Sequence, residues 1–391
     1  MKKILLFVFF IASMFPWISF RFLDLDMQPF FIISGGLVFI LYFTFKFPFE
    51  VNFLLVTAFC AFILMIVYGE FDFLSLRAVI SYGAVFITAF SYFVLRRHWM
   101  RRPINYLILI NYIWVFAGIF QLLISKDVLS FLVVARTTLD RGVTSLAPEP
   151  TFFGMYLVLL TLFIVKVNNY SFFSIKIKVL LVVNSLSILF IAKSSMAMLF
   201  LLLFLFGLFL ALISFRKLPL FIVVVFMVSV GVYTSIGFLP DDSRIVRLAA
   251  VAMEAPELFF YNDASSNERL KNVVFPLHAS ISSFFIPHGY HQFIIDSISL
   301  KESYGGFFWW GEDSNKIMSG FGALLYELGF LSIPFFVWYI VSLYHSTSVR
   351  LFVFESLFLF LIMLMAIPIT LPIFSFIVSE TYFHRRGYGL K

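Results

Sequence analysis

Runs of about twenty apolar residues, separated by short polar breaks, recur along almost the whole of this 391-residue chain. An α-helix rises about 1.5 Å per residue, so about twenty such residues cross a bilayer core about 30 Å thick. Apolar segments fall at 1–20, 30–46, 51–68, 77–95, 104–124, 150–166, 178–192, 195–214, 218–239, 320–343 and 351–367. A twelfth candidate, 368–380, is interrupted by Pro368 and Pro372. Hydrophobic residues make up 62% and charged residues 13%, against about 45–50% and about 25% in soluble domains. That balance excludes a soluble enzyme, a disordered chain and a nucleic-acid binder. The expected fold is all-α: one polytopic transmembrane helical bundle over 1–391, with eleven or twelve spans.

Charge sets the expected orientation. With the N-terminus in the cytoplasm, Lys2, Lys3, Lys46, Arg96, Arg97, Arg101, Arg102, Lys166, Lys176, Lys178, Arg216, Lys217 and Arg350 fall on the cytoplasmic side. Asp24, Asp26, Glu70, Asp72, Asp127, Asp140, Glu149 and most acids after Asp241 fall on the other. Glu50, Glu355 and Glu380 break the segregation. The tail His384-Arg385-Arg386 favours twelve spans with both ends inside. Lys2 and Lys3 before an apolar run resemble a signal sequence, but no small-residue cleavage site follows, so 1–20 is read as an uncleaved first helix. The net charge of +7 is read as cytoplasmic lysine and arginine. Cys60, the one cysteine, is read as a small buried hydrophobe, and no redox, cluster or thiolate-metal chemistry is expected.

Two connections exceed short loops: an outer loop at 125–149 and a large periplasmic or extracellular loop at 240–318. The second holds ten carboxylates, six Lys/Arg and three of the six histidines. Loops of that length carry function and their own short helices. Ser265-Ser266-Asn267-Glu268 fits a capping box. Leu270, Val273, Val274, Leu277 and Ile281 follow at helical spacing, an apolar stripe lying on the membrane or the core. Pro276 predicts a kink or an early stop.

Chemistry concentrates at a few places. Glu149 stands between Pro148 and Pro150. Pre-proline geometry and proline's preference for the first helical turn place it at the mouth of a helix. The helix dipole favours a carboxylate there. Arg136 and Arg141 lie just upstream. The group reads either as a helix-start acid with an arginine partner, or as a carboxylate base beside phosphate-holding guanidiniums. Lys193-Ser194-Ser195 is a polar break between apolar runs, read as a snorkelling turn lysine or a phosphate contact; no motif supports a serine–lysine hydrolase. In the long loop stand Arg269, His278 and the stretch Pro287-His288-Gly289-Tyr290-His291. A lone His-x-x-His is a weak zinc pattern, and no metal is expected. Small residues in the 320–329 run suggest close helix packing, with Glu327 buried and in need of a partner.

In order along the chain, these residues resemble the polytopic O-antigen polymerases (Wzy-type) of the O-antigen polymerase/ligase superfamily. Arg141 followed by Glu149-Pro150-Thr151-Phe152-Phe153-Gly154 is similar to that family's Arg and Glu-Pro-Ser-x-Phe-Gly. Lys193-Ser194-Ser195 resembles its Ser-Arg-Ser turn, without the arginine. Asn267-Glu268-Arg269 with His288-Gly289-Tyr290 resembles an Arg and Gly-x-Gly pair on a large periplasmic loop, with His291 replacing the second glycine. Gly322 to Gly329 resembles the helix that follows. Met318-Ser319-Gly320 stands where ligases carry a histidine–asparagine pair, which lowers the ligase reading.

The resemblance implies a GT-C-like membrane glycosyltransferase of the bacterial inner membrane, multi-pass, with its active site at the periplasmic face. The implied reaction moves a nascent glycan from undecaprenyl pyrophosphate to a lipid-linked repeat unit, without a cofactor. Glu149 and Arg141 are the implied catalytic residues; Arg136, Arg269, Lys193, His288 and Tyr290 are the implied substrate contacts. Implied partners are undecaprenyl-pyrophosphate-linked oligosaccharides, membrane lipids, a chain-length regulator and a flippase, but no nucleic acid. Alternatives are a ligase-like transferase to another acceptor and a lipid-linked sugar flippase or transporter. Transporters are expected to show inverted repeats and midplane charges, and here the polar content lies in outer loops.

Overall fold

The computed structural model describes residues 2–19, 27–100, 103–137, 141–171, 174–212, 251, 259–311, 313–344, 348–365 and 367–385. The predicted span 218–239 lies outside them, as do residues 240–250 of the long loop, Asp140, Arg101 and Arg102. Every regular element among the described residues is helical. The helices are α1 Lys2–Met14, α2 Phe30–Leu41, α3 Asn52–Val67, α4 Phe73–His98, α5 Ile104–Leu123, α6 Pro150–Val167, α7 Ile175–Leu186 and α8 Ser195–Leu212. After a one-turn helix at Phe259–Asn262 come α9 Ala264–Ser282, α10 Phe293–Ser303 and α11 Gly320–Leu328. The set ends with α12 Ile333–Tyr344, α13 Val349–Leu364 and α14 Pro372–Arg385.

Seven segments are long and apolar enough to cross a membrane: Phe49–Val67, Phe73–His98, Ile104–Leu123, Pro150–Val167, Ile175–Ala192, Ser195–Leu212 and Gly320–Tyr344. The predicted segments near 51–68, 77–95, 104–124, 150–166, 178–192, 195–214 and 320–343 coincide with them. Four other predicted spans hold shorter helices: α1, α2, α13 and α14, of 13, 12, 16 and 14 residues. Exposed Leu, Ile and Phe cover the outward faces of α2, α3 and α5. That distribution suits a chain solvated by lipid, where apolar surface carries no penalty.

The chain divides into two units, one of 1–206, 331–359 and 369–391, the other of 207–330 and 360–368. In the first, α14 packs against α1, α4, α6 and α12. Pro372 opens α14 at its first position, where the missing N–H costs nothing. The proline that made the segment look broken is therefore its start signal. Its residues 371–381 are all buried. Two polar links fasten it to the bundle. Arg96 and Glu380 form an ion pair at 2.8 Å, which the Tyr92 hydroxyl joins. Lys166 Nζ donates to Glu355 Oε2 at 2.8 Å and to Thr381 Oγ1 at 2.6 Å, and Tyr170 also reaches Glu355. Two of the three carboxylates that broke the charge segregation, Glu380 and Glu355, thus each meet a base from the expected cytoplasmic set. Burial and the Glu355 carboxylate hold the Tyr170 phenol well above its ordinary range. Between α5, α6 and α7, Asn111 and Asn184 exchange amide hydrogen bonds at 2.8 Å, and Asn184 also donates to Thr161 at 2.7 Å. Such interhelical amide bonds contribute on the order of 1 kcal/mol in a membrane setting.

The second unit is built on α9. Its cap is Asp263, whose carboxylate accepts from Ser266 N at 3.0 Å. The expected capping box at Ser265 is therefore displaced by two residues, because an ionised side chain is the stronger acceptor for the first-turn amides. Of the expected stripe, Leu270 and Val274 pack against the core, and the buried face extends beyond it. It carries Asn267, Lys271, Asn272, Phe275, Pro276, Ala279 and Ser280, whereas Ile281 is exposed. Asn267 and Asn272 turn inward to serve loop backbone: Asn267 donates to Phe307 O at 2.9 Å, and Asn272 accepts from Met318 N at 2.8 Å. Helix α9 continues through Pro276 to Ser282, so the expected stop does not occur. A proline inside a helix costs about 3 kcal/mol. Here Phe275 and Ala279, on either side of it, both join a core with Phe293, Phe308 and Tyr326.

Candidate functional site

In the first unit the loop before α6 folds back into the bundle. Arg136 N donates to Pro148 O at 2.6 Å, closing 136–148 into a lariat. Residues 142–148 are buried. Ser145, with φ of 53°, donates its hydroxyl to Trp114 O at 2.6 Å and its amide to Gln121 Oε1 at 2.5 Å. Gln121 further donates to Thr144 Oγ1 and to Lys126 O. Irregular backbone at this depth needs such internal partners.

The lariat's neck brings the Arg136 guanidinium 3.7 Å from Glu149 Oε1, with side-chain exposures of 49% and 24%. Glu149 is the cap residue of α6, in extended geometry, and its carboxylate accepts no first-turn amide. An ion pair this open and this long contributes at most about 1 kcal/mol. The Glu149 carboxylate therefore keeps capacity for a further partner.

The segments that carry Arg141 and Lys193 meet through the backbones of 142–143 and 191–192. Val143 N donates to Ile191 O at 3.0 Å, and a Cβ on Gly142 would lie 2.2 Å from Ala192 O, so only glycine fits between Arg141 and that strand of carbonyls. Lys193 leaves the wide turn Ser187–Ala192 in left-handed geometry at φ of 47° and is exposed. Neither its ammonium nor the Arg141 guanidinium has a hydrogen bond or ion pair among the described residues. The Lys126 ammonium caps the Arg141 carbonyl. Next to Lys193, Ser194 accepts from Ala197 N and donates to Thr151 Oγ1, both at 3.3 Å, so its hydroxyl caps α8 and is no nucleophile. A Cβ on Gly154 would sit 2.4 Å from the Ala197 Cβ, which explains the glycine closing the Glu-Pro-Thr-Phe-Phe-Gly run: α6 and α8 touch there. Glu149 and Arg136, paired at 3.7 Å, stand at the N-terminal end of α6, and the chain carrying Arg141 meets the turn that carries Lys193 between α7 and α8.

The second unit separates its candidates. Arg269 lies in the first turns of α9, its Nε 3.5 Å from Ser265 Oγ. His288 lies beyond the other end, its Nε2 3.2 Å from Ser283 Oγ. Fourteen helical residues between Arg269 and Ser283 span about 21 Å. Tyr290 is buried, with 3% exposure. His288 stacks on Tyr326 at 4.4 Å, and its Nδ1 stands 4.0 Å from Asp296 Oδ2, to which the Tyr326 hydroxyl donates at 2.6 Å. Burial lowers the His288 pKa, and the Asp296 charge opposes this only in part. His278 bonds Tyr304 at 2.9 Å. Glu327, expected to be buried, is half-exposed. Lys271, which the sequence did not single out, is buried, and desolvation with the nearby Lys301 lowers its pKa.

Ser283, His288 and Asp296 stand in the order of a hydrolytic triad, but the pieces are committed elsewhere. The Ser283 hydroxyl donates to Ser280 O at 3.1 Å. The amides of Phe284, Phe285 and Ile286 are used by the turn itself, leaving none of them for an oxyanion. No group of three His, Cys, Asp or Glu among the described residues has metal-holding geometry. Asp296, Ser283 and Tyr326 escaped the sequence reading because their grouping is non-local; the only signal was an acid inside an apolar stretch.

No family model, curated protein or solved structure matches this chain.

Proposed function

We propose that this protein is a membrane glycosyltransferase of O-antigen-polymerase type. It transfers a nascent glycan from undecaprenyl pyrophosphate to a lipid-linked repeat unit at the outer face of the inner membrane. The supporting observation is the Glu149 carboxylate, paired to Arg136 at 3.7 Å and close in the chain to Arg141, whose guanidinium has no hydrogen bond or ion pair among the described residues. In the reaction, an acceptor hydroxyl oxygen bonds to the anomeric carbon of the nascent chain. The bond from that carbon to the pyrophosphate oxygen breaks, and the hydroxyl proton passes to Glu149. Negative charge grows on the departing pyrophosphate. Forked guanidiniums at Arg136 and Arg141 meet it, with Lys193 as a point charge. A general base supplies about 10²- to 10⁴-fold. Arg269, His288 and Tyr290 enter as substrate contacts on the resemblance alone, and the GT-C-like architecture belongs to the same reading.

The test is purified protein in lipid with undecaprenyl-pyrophosphate-linked repeat units. Products longer than one repeat, lost in Glu149→Gln, support polymerisation. Transbilayer movement of the lipid-linked unit without lengthening would replace it with a flippase.

A further inference from the structure

The turn that follows α9 has an unusual surface. Phe284 is 87% exposed, and Ile281, Phe285 and Ile286 are exposed around it. Phe284 and Phe285 both adopt left-handed backbone, with φ of 54° and 58°. Two aromatic residues held there cost on the order of 1–3 kcal/mol each. A turn facing water would relieve that cost with glycine or asparagine and would not display phenylalanine.

Three hydrogen bonds fix how deep this turn lies along α11. At the start, Met318 N donates to Asn272 Oδ1 at 2.8 Å. Further in, His288 N donates to Tyr326 O at 3.0 Å. Furthest in, Phe330 N donates to Phe285 O at 2.8 Å. That last rung requires Gly329, whose φ is 53° and whose added Cβ would fall 2.1 Å from Phe285 O. Phe330 lies just past α11, whose nine residues rise about 13 Å, close to half the thickness of a bilayer core. Helix α9 agrees independently. From Asn272 to its last residue, Ser282, it rises over ten residues, about 15 Å. No Asp, Glu, Lys or Arg occurs from 272 to 287.

The amides of the turn are paired within it, as lipid demands. Phe284 N bonds Ile281 O, Phe285 N bonds Ser280 O, and Ile286 N bonds Ser283 O. The Ser283 hydroxyl covers Ile286 O at 3.4 Å. The only ionisable side chain on this stretch, His278, is tied to Tyr304. At the opposite end of α9 exposed Trp309 and Trp310 gather beside the Lys301–Asp313 ion pair, as side chains do at a headgroup boundary.

We infer that 272–287 is a re-entrant element: the second half of α9 enters the bilayer beside α11, and Phe284, Phe285 and Ile286 contact acyl chains near its middle. The long connection is then an intramembrane hairpin with a polar rim, and not wholly a periplasmic loop. This inference stands apart from the proposed activity and from any glycan.

The test uses single cysteines at Phe284 and Ile286 in a Cys60→Ser background, spin-labelled in proteoliposomes. Phe59→Cys, on the exposed face of α3, serves as the lipid reference, and Glu302→Cys as the aqueous one. Relative accessibility to oxygen and to a soluble nickel chelate reads depth. Labels at 284 and 286 are expected to match position 59, with an oxygen-to-nickel ratio several-fold above that at 302. A ratio equal to that at 302 overturns the inference. So does protection from both reagents, which would mean that protein covers the turn. Should Phe284→Cys fail to fold, Ile286→Cys alone gives the same readout.

Discussion

Arg96 and Glu380, 284 positions apart, form a two-pronged ion pair with only 5% and 2% side-chain exposure. Nη2 and Nε of the guanidinium donate to the two carboxylate oxygens at 2.8 and 2.9 Å, and Nη1 donates to Met100 O at 2.7 Å. Removing one partner leaves a bare buried charge, so Arg96→Ala or Glu380→Ala should each cost about 3–5 kcal/mol. Replacing both by apolar residues, Arg96→Met with Glu380→Leu, should cost less than either single change. Thermal unfolding in detergent measures the three variants, and additive losses would contradict a coupled pair.

His288 should make stability acid-sensitive. Burial lowers its pKa below the ordinary value of 6.5, so the folded state holds it neutral while the unfolded chain takes up a proton. Stability is therefore complete above about pH 6.5 and declines as pH falls through the folded-state value. His288→Asn should flatten that acid limb in a series of melting curves. An unchanged limb would assign it to other groups.

Chain extension should depend on Glu149 and Arg141. Glu149→Gln and Arg141→Ala are expected to insert and fold normally, because neither side chain holds a helix end or a buried bond. Surface glycan should then collapse to single repeat units, read on a gel. Wild-type length distributions in both variants would remove these residues from the site.

Arg269 allows charge to be separated from geometry. If it forks onto phosphate, Arg269→Ala should abolish extension, and Arg269→Lys should not restore it. Full rescue by lysine would reduce the role to charge alone.

The Asn111–Asn184 clamp should matter more than its exposure in sequence suggests. Asn184→Ala strands the Asn111 amide in a dry interface, while the Thr161 hydroxyl keeps its bond to Leu157 O. A loss of about 1–3 kcal/mol is expected, measured by unfolding in mixed micelles; no loss would show that the partners find other acceptors.

What the sequence determined by itself was the helical build of the described residues and the places of the seven segments long and apolar enough to cross a membrane. Both follow from local physics: length of apolar run, helix rise, and the cost of charge in lipid. It also marked Glu149 and Pro150 as a helix mouth, because proline restricts its own neighbourhood. It left inside and outside open. The α9 stripe read as lying on the membrane or the core; Leu270 and Val274 pack on the core, Ile281 is exposed, and Asn267, Lys271 and Asn272 turned inward beside them. Lipid tolerates apolar surface, so hydrophobicity alone does not say which face is buried. Tertiary structure decided which charges meet: Glu380 with Arg96, Glu355 with Lys166, Asp296 beside His288. It also decided that 142–148 plugs the bundle when it could have draped over it. Each such outcome depends on hydrogen bonds between residues far apart in the chain, and no local pattern encodes those.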